Sequence, residues 1–533
     1  MGKLMLLDCT LRDGGYINDW EFGNDTLIGV YERLISSGVE FIEVGFLDDR
    51  RQFDINRSIM PDTKSVELIY RNIDKGEANI LGMIDYGTCK IENIQPCEES
   101  YLDGIRVIFK KERMKEAIEY CQQIKDLGYK VFTQAVSITS YSDQELLDLI
   151  NLVNHLKPYA VSIVDTYGLL HFDNLIHIFD IMNRNLDNQI CIGYHAHNNF
   201  QMGYANCIEI LNKKVNRNIL VDATLYGMGK SAGNTPLELV GNYMNENFNK
   251  NYDINQMLEA IDTNIMEIYN KIPWGYNMFY YISASNKCHP SYVSYLINKR
   301  TLSIKSVNDI LKKINEEDKL LYKKDQIEAL YLEYQENNCD DTADINELKN
   351  ILKENTILAI GPGKSIDKEV NIITDYIAKN NPVIISINYI PDSMKADYLF
   401  LTNSKRYAQM ATKLNESQYK SIDTIATSNV TKTNGDFTYV LNYSSLIDAD
   451  TEIPDNSLIM LLRVLDVIEV KKIALAGFDG YSEDEMNYFN TNMEYSFVKE
   501  KAHYLNQYAS AYLKNYSKKI KVDFVTKSKY EKM

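Results

Sequence analysis

The chain of 533 residues is 45% hydrophobic and 25% charged, enough for two or three globular domains and unlike a disordered chain. Its 57 basic and 74 acidic residues leave a net charge of −17, which opposes binding of nucleic acid or an anionic membrane through bulk electrostatics. Eight cysteines without paired metal spacing read as reduced thiols, and the lack of a basic-then-apolar leader or an apolar run of about 18 residues makes the cytoplasm the expected location.

From residue 3 to about residue 230, short runs rich in Val, Ile and Leu alternate with longer amphipathic stretches. Strands are expected at 3–9, 40–46, 79–85, 104–109, 130–136, 160–165, 189–195 and 219–224, with helices between them such as 114–127 and 143–156. Eight βα units of about 30 residues match a closed (β/α)₈ barrel, with an open doubly wound sheet as the alternative. The first strand runs into Arg12, Asp13, Gly14 and Gly15. Asp13 offers an oxygen ligand to a hard cation, and Arg12 a positive fork to a carboxylate or developing enolate oxygen. The two glycines are expected to supply backbone angles that other residues avoid. Glu43, Asp85, Arg106, Gln134 and Asp165 fall within or at the ends of the second to sixth strands.

The seventh strand ends in His195-Ala196-His197-Asn198, and two histidines at i and i+2 in an extended chain share a face. Only seven histidines occur in the whole sequence, so the pair is a specific signal. After the eighth strand comes the glycine-rich loop 226–234, for which a phosphate cradle is one reading, although its spacing is not that of a Walker loop. Asp13, His195 and His197 together make a set for a divalent ion, with Mn²⁺, Mg²⁺, Co²⁺, Fe²⁺ and Zn²⁺ all compatible. The alternative is a pair of histidines hydrogen-bonded in a polar barrel mouth.

Asp-Cys-Thr-Leu-Arg-Asp-Gly at 8–14, His-Ala-His-Asn at 195–198 and Gly-Asn at 233–234 resemble the metal-dependent barrel lyases and synthases. That family includes 4-hydroxy-2-oxovalerate aldolase, 3-hydroxy-3-methylglutaryl-CoA lyase and the isopropylmalate and homocitrate synthases. The resemblance spans about residues 1–300. It implies Asp13, His195 and His197 as metal ligands, Asn234 as a fourth ligand or an outer-sphere group, and Arg12 as the residue that steadies an enolate. It also marks Glu43, Asp165, Thr166 and the loop before Asn234 as family positions. Glu43, Arg106, Gln134 and Asp165 are the expected substrate-side residues, and Mn²⁺ or Mg²⁺ is the expected ion, with Zn²⁺ and Co²⁺ open. Where the aldolases carry an acid/base histidine two residues after Arg-Asp-Gly, this chain has Tyr16. Tyr16, Tyr276 in a Trp-Gly-Tyr run and His289 are the three acid/base candidates, against ordinary aromatic packing and a turn histidine.

Residues 250–335 read as helices, among them 254–272 and 307–334, resembling the extension that docks a partner dehydrogenase in the aldolases; a lid or dimer surface reads equally well. The acidic stretch 336–344 suits a linker. A second α/β unit begins at Thr356: strands at 356–360, 383–388, 398–401 and 472–477, a Gly361-Pro362-Gly363 loop and a helix over 367–379 read as Rossmann-like. This half partially resembles sialyltransferase-like nucleotide-sugar domains, which implies a nucleotide or nucleotide sugar near Gly361, Gly363 and Asn388, with His503 the nearest match to a catalytic histidine. The expected organisation is therefore a catalytic barrel over 1–250, a helical extension and linker over 251–345 and a Rossmann-like domain over 350–533. The expected protein is a homo-oligomeric aldolase joining or splitting a pyruvate-like 2-oxo acid and an aldehyde, with a sugar-derived aldehyde as one option. The alternatives are an acetyl-CoA-dependent Claisen synthase and a nucleotide-sugar binder or glycosyltransferase.

Overall fold

In the computed structural model, which describes residues 2–298, 302, 304–336, 339–430, 432, 435–448, 451–490, 493 and 496–532, the apolar runs of the first half become eight parallel strands. These are β1 (Leu4–Asp8), β2 (Phe41–Leu47), β3 (Asn79–Asp85), β4 (Gly104–Phe109), β5 (Lys130–Ala135), β6 (Ala160–Asp165), β7 (Cys191–Ala196) and β8 (Ile219–Ala223). Each pairs with the next, and β1 pairs with both β8, from Leu4↔Ile219 to Asp8↔Ala223, and β2, at Leu7↔Phe41. The sheet closes, which excludes the open alternative. A two-residue strand, Ile59–Met60, adds to β2; its shortness hid it in the sequence.

The twofold strand period sorts side chains into layers. Met5, Leu7, Phe41, Leu81, Phe132 and Leu220 fill the barrel interior. Two residues further along the same strands, on the same face and toward the carboxyl end, stand Glu43, Gln134 and Asp222. The opposite faces, with Ile42, Val44, Ile105 and Val221, pack against the surrounding helices. Those helices begin where local chemistry allows: Asp143–Leu156 opens with a capping box in which Ser142 and Glu145 satisfy each other's backbone N–H groups.

The helical stretch expected over 254–272 is continuous, as Ile254–Ala260, a π turn at Ile261–Ile265 and Met266–Lys271. The helix expected over 307–334 is not. It divides into Ile304–Lys312 and Lys324–Glu336, because the Tyr292 hydroxyl donates to Asp318 O (3.0 Å) and Leu321 O (2.8 Å) and draws the intervening segment into a loop. Helices end at Glu336 and restart at Thr342, within the stretch read as a linker; its Asn337 and Asn338 lie outside the described residues.

The chain divides into two units, Met1–Ser294 with Ile314–Tyr322, and Tyr295–Lys313 with Lys323–Met533. The second contains β9 (Thr356–Ile360), β10 (Val383–Ile387), β11 (Tyr398–Leu401), β12 (Asp423–Thr427), β13 (Tyr439–Leu441), β14 (Lys472–Ala476) and β15 (Lys521–Phe524). All pair in parallel, in the order β13-β12-β11-β10-β9-β14-β15, with an apolar cluster on each face. This is the doubly wound arrangement expected. The helix expected over 367–379 is broken at Glu369 into Ser365–Lys368 and Val370–Asn380. All eight cysteines are free thiols. No helix among the described residues is long and apolar enough to cross a membrane.

Candidate active site

The turn after β1 is built by its own side chains. The Asp8 carboxylate accepts from the Thr10 hydroxyl (2.6 Å) and N–H (3.0 Å), and Thr10 Oγ1 accepts from Leu225 N–H (2.8 Å), tying the β1 loop to the β8 loop. Arg12 and Asp13 then close a one-turn helix, Thr10–Asp13, and both are buried. Gly14 and Gly15 are not where unusual angles are used: Gly14 has φ −57°, and neither has positive φ. They are small for lack of space. A Cβ on Gly15 would fall 2.0 Å from the Trp20 ring, and one on Gly14 2.9 Å from Met228 Sδ. Trp20 is fixed in turn, its indole N–H donating to Arg12 O at 2.7 Å.

Asp13, His195 and His197 converge so that one donor atom from each lies within 4.8 Å of the others. A buried network orients them. Arg12 Nε donates to Glu43 Oε2 (2.7 Å) and its Nη1 to the Asp13 carboxylate. Arg106 donates to Glu43 Oε2 (3.1 Å), to Gln134 Oε1 (3.1 Å) and to the Asp222 carboxylate. Asp222 also accepts from His195 Nδ1 (3.0 Å), which turns the lone pair of Nε2 toward Asp13 Oδ2, 3.5 Å away. Asn234 donates to Asp13 Oδ1 (2.9 Å) and to Met228 O (3.2 Å).

Charge follows from this wiring. Burial works against the Asp13 carboxylate, but Arg12 and the two histidines hold it well below the usual range. Burial would also discharge His195, yet Asp13 and Asp222 outweigh it and raise its pKa. His197 is pushed down to about 3, chiefly by burial, and so stays a neutral imidazole. Two buried atoms at this point have no partner among the described residues, His197 Nδ1 and Asn234 Oδ1. One anionic oxygen, two imidazoles and an orphaned amide oxygen fit a divalent first-row ion or Mg²⁺.

The trio opens into a cavity of about 860 Å³ at the carboxyl end of the barrel, which Arg12, Tyr16, Gln134, Lys230 and His289 also line. Glu43 and Arg106 lie beneath it, fully buried, and reach it through Arg12, His195 and Gln134. Asp165 does not face it: its carboxylate accepts the N–H groups of Leu169 (2.8 Å) and Leu170 (2.9 Å) and shapes the loop after β6, whereas its neighbour Thr166 lines the cavity. Tyr276, 59% exposed, is not among the lining residues, because a surface loop carries it away. Tyr16 lies at the cavity with its phenol pKa raised, first by burial and then by Asp13. His289 is lowered to about 4, mainly by burial. Its Nδ1 accepts Ser291 N–H (3.1 Å), which leaves the proton of the neutral ring on Nε2.

Two site residues escaped the sequence reading. Asp222 is the lone acid in an apolar strand, Ile-Leu-Val-Asp-Ala, and that contrast was the available signal. Lys230 lies in the loop that the family resemblance marks, with no role of its own expected from the sequence. N–H groups that a phosphate would need in that loop are turned inward instead: Lys230 donates to Asp13 Oδ1 (3.1 Å) and Ala232 to Asn199 Oδ1 (3.1 Å).

In the second unit a cavity of about 660 Å³ is lined by Gly363 and Asn388 but not Gly361. A Cβ on Gly361 would lie 2.7 Å from the Phe478 ring, so that glycine serves packing. The anion that the loop was expected to attract is supplied by the chain itself: Asp479 accepts Ser365 N–H (2.9 Å) and the Ser365 hydroxyl. Asn388 Nδ2 donates to Thr402 Oγ1 and Ser457 Oγ, both at 2.9 Å. His503 is exposed and lies outside the cavity.

Residues 3–263 match the HMGL-like family model. That match spans all eight strands of the barrel. The chain is similar to 4-hydroxy-2-oxovalerate aldolase 6 of Rhodococcus jostii, 22% identical over 271 residues that make up 50% of this chain and 75% of that protein. Oxaloacetate decarboxylase of Mycobacterium tuberculosis is 22% identical over 289 residues, 51% of this chain and 80% of that one. Among solved structures, HMG-CoA lyase of Brucella melitensis is similar at 16% identity and a TM-score of 0.40, over 49% of this chain and 96% of that chain.

Proposed function

We propose that the barrel is a divalent-metal-dependent aldolase that makes or breaks the bond between a 2-oxo acid enolate and an aldehyde. The observation that carries this reading is the Asp13–His195–His197 trio set beside Arg12 in the cavity; the named relatives support it. The ion held by the trio, with Asn234 beside it, would be Mn²⁺ or Mg²⁺ and would supply Lewis-acid polarisation of the keto acid. Arg12 has two of its donors committed to Glu43 and Asp13, which fixes the guanidinium plane, and its Nη2 remains for the oxygen on which enolate charge develops. His289, neutral with its N–H on Nε2, is the group at the cavity wall suited to donate a hydrogen bond to the aldehyde oxygen; Tyr16, its phenol pKa raised, is the poorer proton donor. The test is proton NMR in D₂O with pyruvate alone. An enzyme of this class exchanges the methyl protons for deuterium only with the divalent ion present, and metal-loaded protein that exchanges no 2-oxo acid would sink the reading.

The second unit has a reading of its own. Its cavity lies beyond the carboxyl ends of β9 and β14, between the loops Pro362–Gly363 and Gly477–Tyr481, where strand order reverses. That is where doubly wound sheets bind ligands, and this supports a nucleotide or nucleotide sugar as the occupant. Calorimetry of the full chain with UMP, CMP and their sugar conjugates tests it; no heat from any of them would remove this reading.

A further inference from the structure

The cavity above the trio contains a cation that the network beneath it does not use. Lys230 is largely buried, yet among the described residues its ammonium makes no ion pair and no hydrogen bond. It sits instead 5.2 Å from the ring centre of Tyr16 and 6.0 Å from that of Tyr167. The carboxylates below are engaged elsewhere, Asp13 and Glu43 with Arg12, and Glu43 and Asp222 with Arg106; Asp85, on the same cavity wall, attracts the ammonium without forming an ion pair with it among the described residues. Of the other cavity lysines, Lys111 is matched by Glu145 and Lys319 by Glu316, while Lys110 and Lys287 are exposed to solvent rather than buried.

Its position is enforced. Tyr226 (φ +53°) and Ser231 (φ +61°), on either side of it, hold left-handed angles that non-glycine residues avoid, and such strain persists only where the surroundings over-determine it. Here the loop is pinned from several directions: Lys230 N–H on Asp13, Ala232 N–H on Asn199 and Asn234 N–H on Gly227 O (2.9 Å). A Cβ at Gly229 would fall 2.7 Å from Asp13 Oδ1, so the loop lies directly against the trio. The ammonium therefore starts from the trio and points between two aromatic faces toward the outer wall. There Tyr167 meets His289 at 5.1 Å between ring centres, and His289 meets Tyr322 at 6.0 Å.

We propose that Lys230 is the receptor for an anionic group, phosphate or carboxylate, on the aldehyde partner, and so sets the enzyme's preference for a charged acceptor. This rests on the aldolase reading for the identity of that partner. Burial disfavours an ammonium, and two ring faces compensate only in part; an anion placed between Tyr16 and Tyr167 gives the charge-assisted bond that the protein leaves unmade. The 2-oxo acid takes the trio and Arg12 below, which leaves the Lys230 level of the cavity for the second substrate.

The test uses the metal-loaded full chain and calorimetric binding of two probe pairs, glyceraldehyde 3-phosphate against glyceraldehyde and succinic semialdehyde against butanal. The wild type should bind the anionic member of one pair at least about tenfold more tightly, the scale of one charged hydrogen bond; which pair responds tells phosphate from carboxylate. Lys230→Met should remove most of that preference and Lys230→Arg should keep part of it. Equal binding within both pairs by the wild type overturns the assignment without any variant. A loss in Lys230→Met confined to pyruvate also overturns it, since the ammonium then serves the 2-oxo acid. Pyruvate deuterium exchange on the same wild-type sample reports separately: exchange without charge preference removes only the Lys230 assignment. Charge preference without exchange removes the aldolase reading and leaves the anion receptor standing.

Discussion

Arg12 is clamped by Glu43 and Asp13 at once, so its plane is set before any substrate arrives. Removing such a preorganised donor costs on the order of a hundredfold in rate. Pyruvate exchange should accordingly fall by about that factor in Arg12→Ala. Arg12→Lys should recover little, because a point charge on a flexible stem does not reproduce a planar fork. Asp222 acts one bond further out, through the Nδ1 of His195. Asp222→Asn should weaken Mn²⁺ binding about 10- to 100-fold, the usual range for a partner that orients a metal-binding histidine, and equilibrium dialysis reads this directly. His289 gives a pH signature. Its pKa is lowered to about 4 in the fold against about 6.5 unfolded, so between those values the unfolded chain binds a proton that the folded one does not. Its contribution to stability is intact above about pH 6.5 and is lost as the pH falls toward 4. Urea midpoints at pH 7 and pH 5 should therefore differ less in His289→Gln than in the wild type.

Loops carry the chemistry and strands set its height. The β1 turn brings Arg12 and Asp13 to the barrel axis, while the loop after β8 lays Gly229, Lys230 and Asn234 over Asp13. Gly229 leaves no room for a side chain, since a Cβ there would lie 2.2 Å from Asn234 Nδ2. Gly229→Ala should leave the circular-dichroism melt close to wild type but weaken Mn²⁺ binding severalfold, because the loop would have to lift from Asp13 while the barrel packing stays untouched. An unchanged metal affinity would mean that the loop does not hold the trio in place. The segment between the helices Ile304–Lys312 and Lys324–Glu336 belongs to the same logic. Its Glu316, Lys319 and Tyr322 line the cavity, and Tyr292 holds it there.

At the scale of the whole chain, every residue of the candidate metal site and the cavity falls in Met1–Ser294 and Ile314–Tyr322. Residues 1–345 should therefore keep metal-dependent pyruvate exchange without the second sheet; a folded truncation that loses all exchange would show that the second unit completes the site. The order of strands, the barrel and the two histidines were legible in the amino-acid order because each rests on local periodicity. Alternating apolar residues declare a strand, and His195 and His197, two apart in one, must share a face. Asp13 and Arg12 were legible for a similar reason, as charges at the abrupt end of an apolar run.

What the order alone did not determine were matters of distance between segments far apart in the chain. Gly14 and Gly15 are expected from the sequence to supply backbone angles that other residues avoid, and only the neighbouring Trp20 and Met228 show that they are small for want of room. Asp165 looked like a site residue until Leu169 and Leu170 claimed its oxygens, and the glycine loop of the second unit looked like an anion cradle until Asp479, 114 residues away from Ser365, filled it. Asp222, isolated in an apolar strand, acquires a role only where Arg106 and His195 meet it. Composition and spacing determine which elements form and which faces they bury, because those depend on neighbours along the chain. Which polar group is satisfied, and which is left facing a ligand, was decided only by the tertiary structure, because each partner comes from a different turn of the barrel.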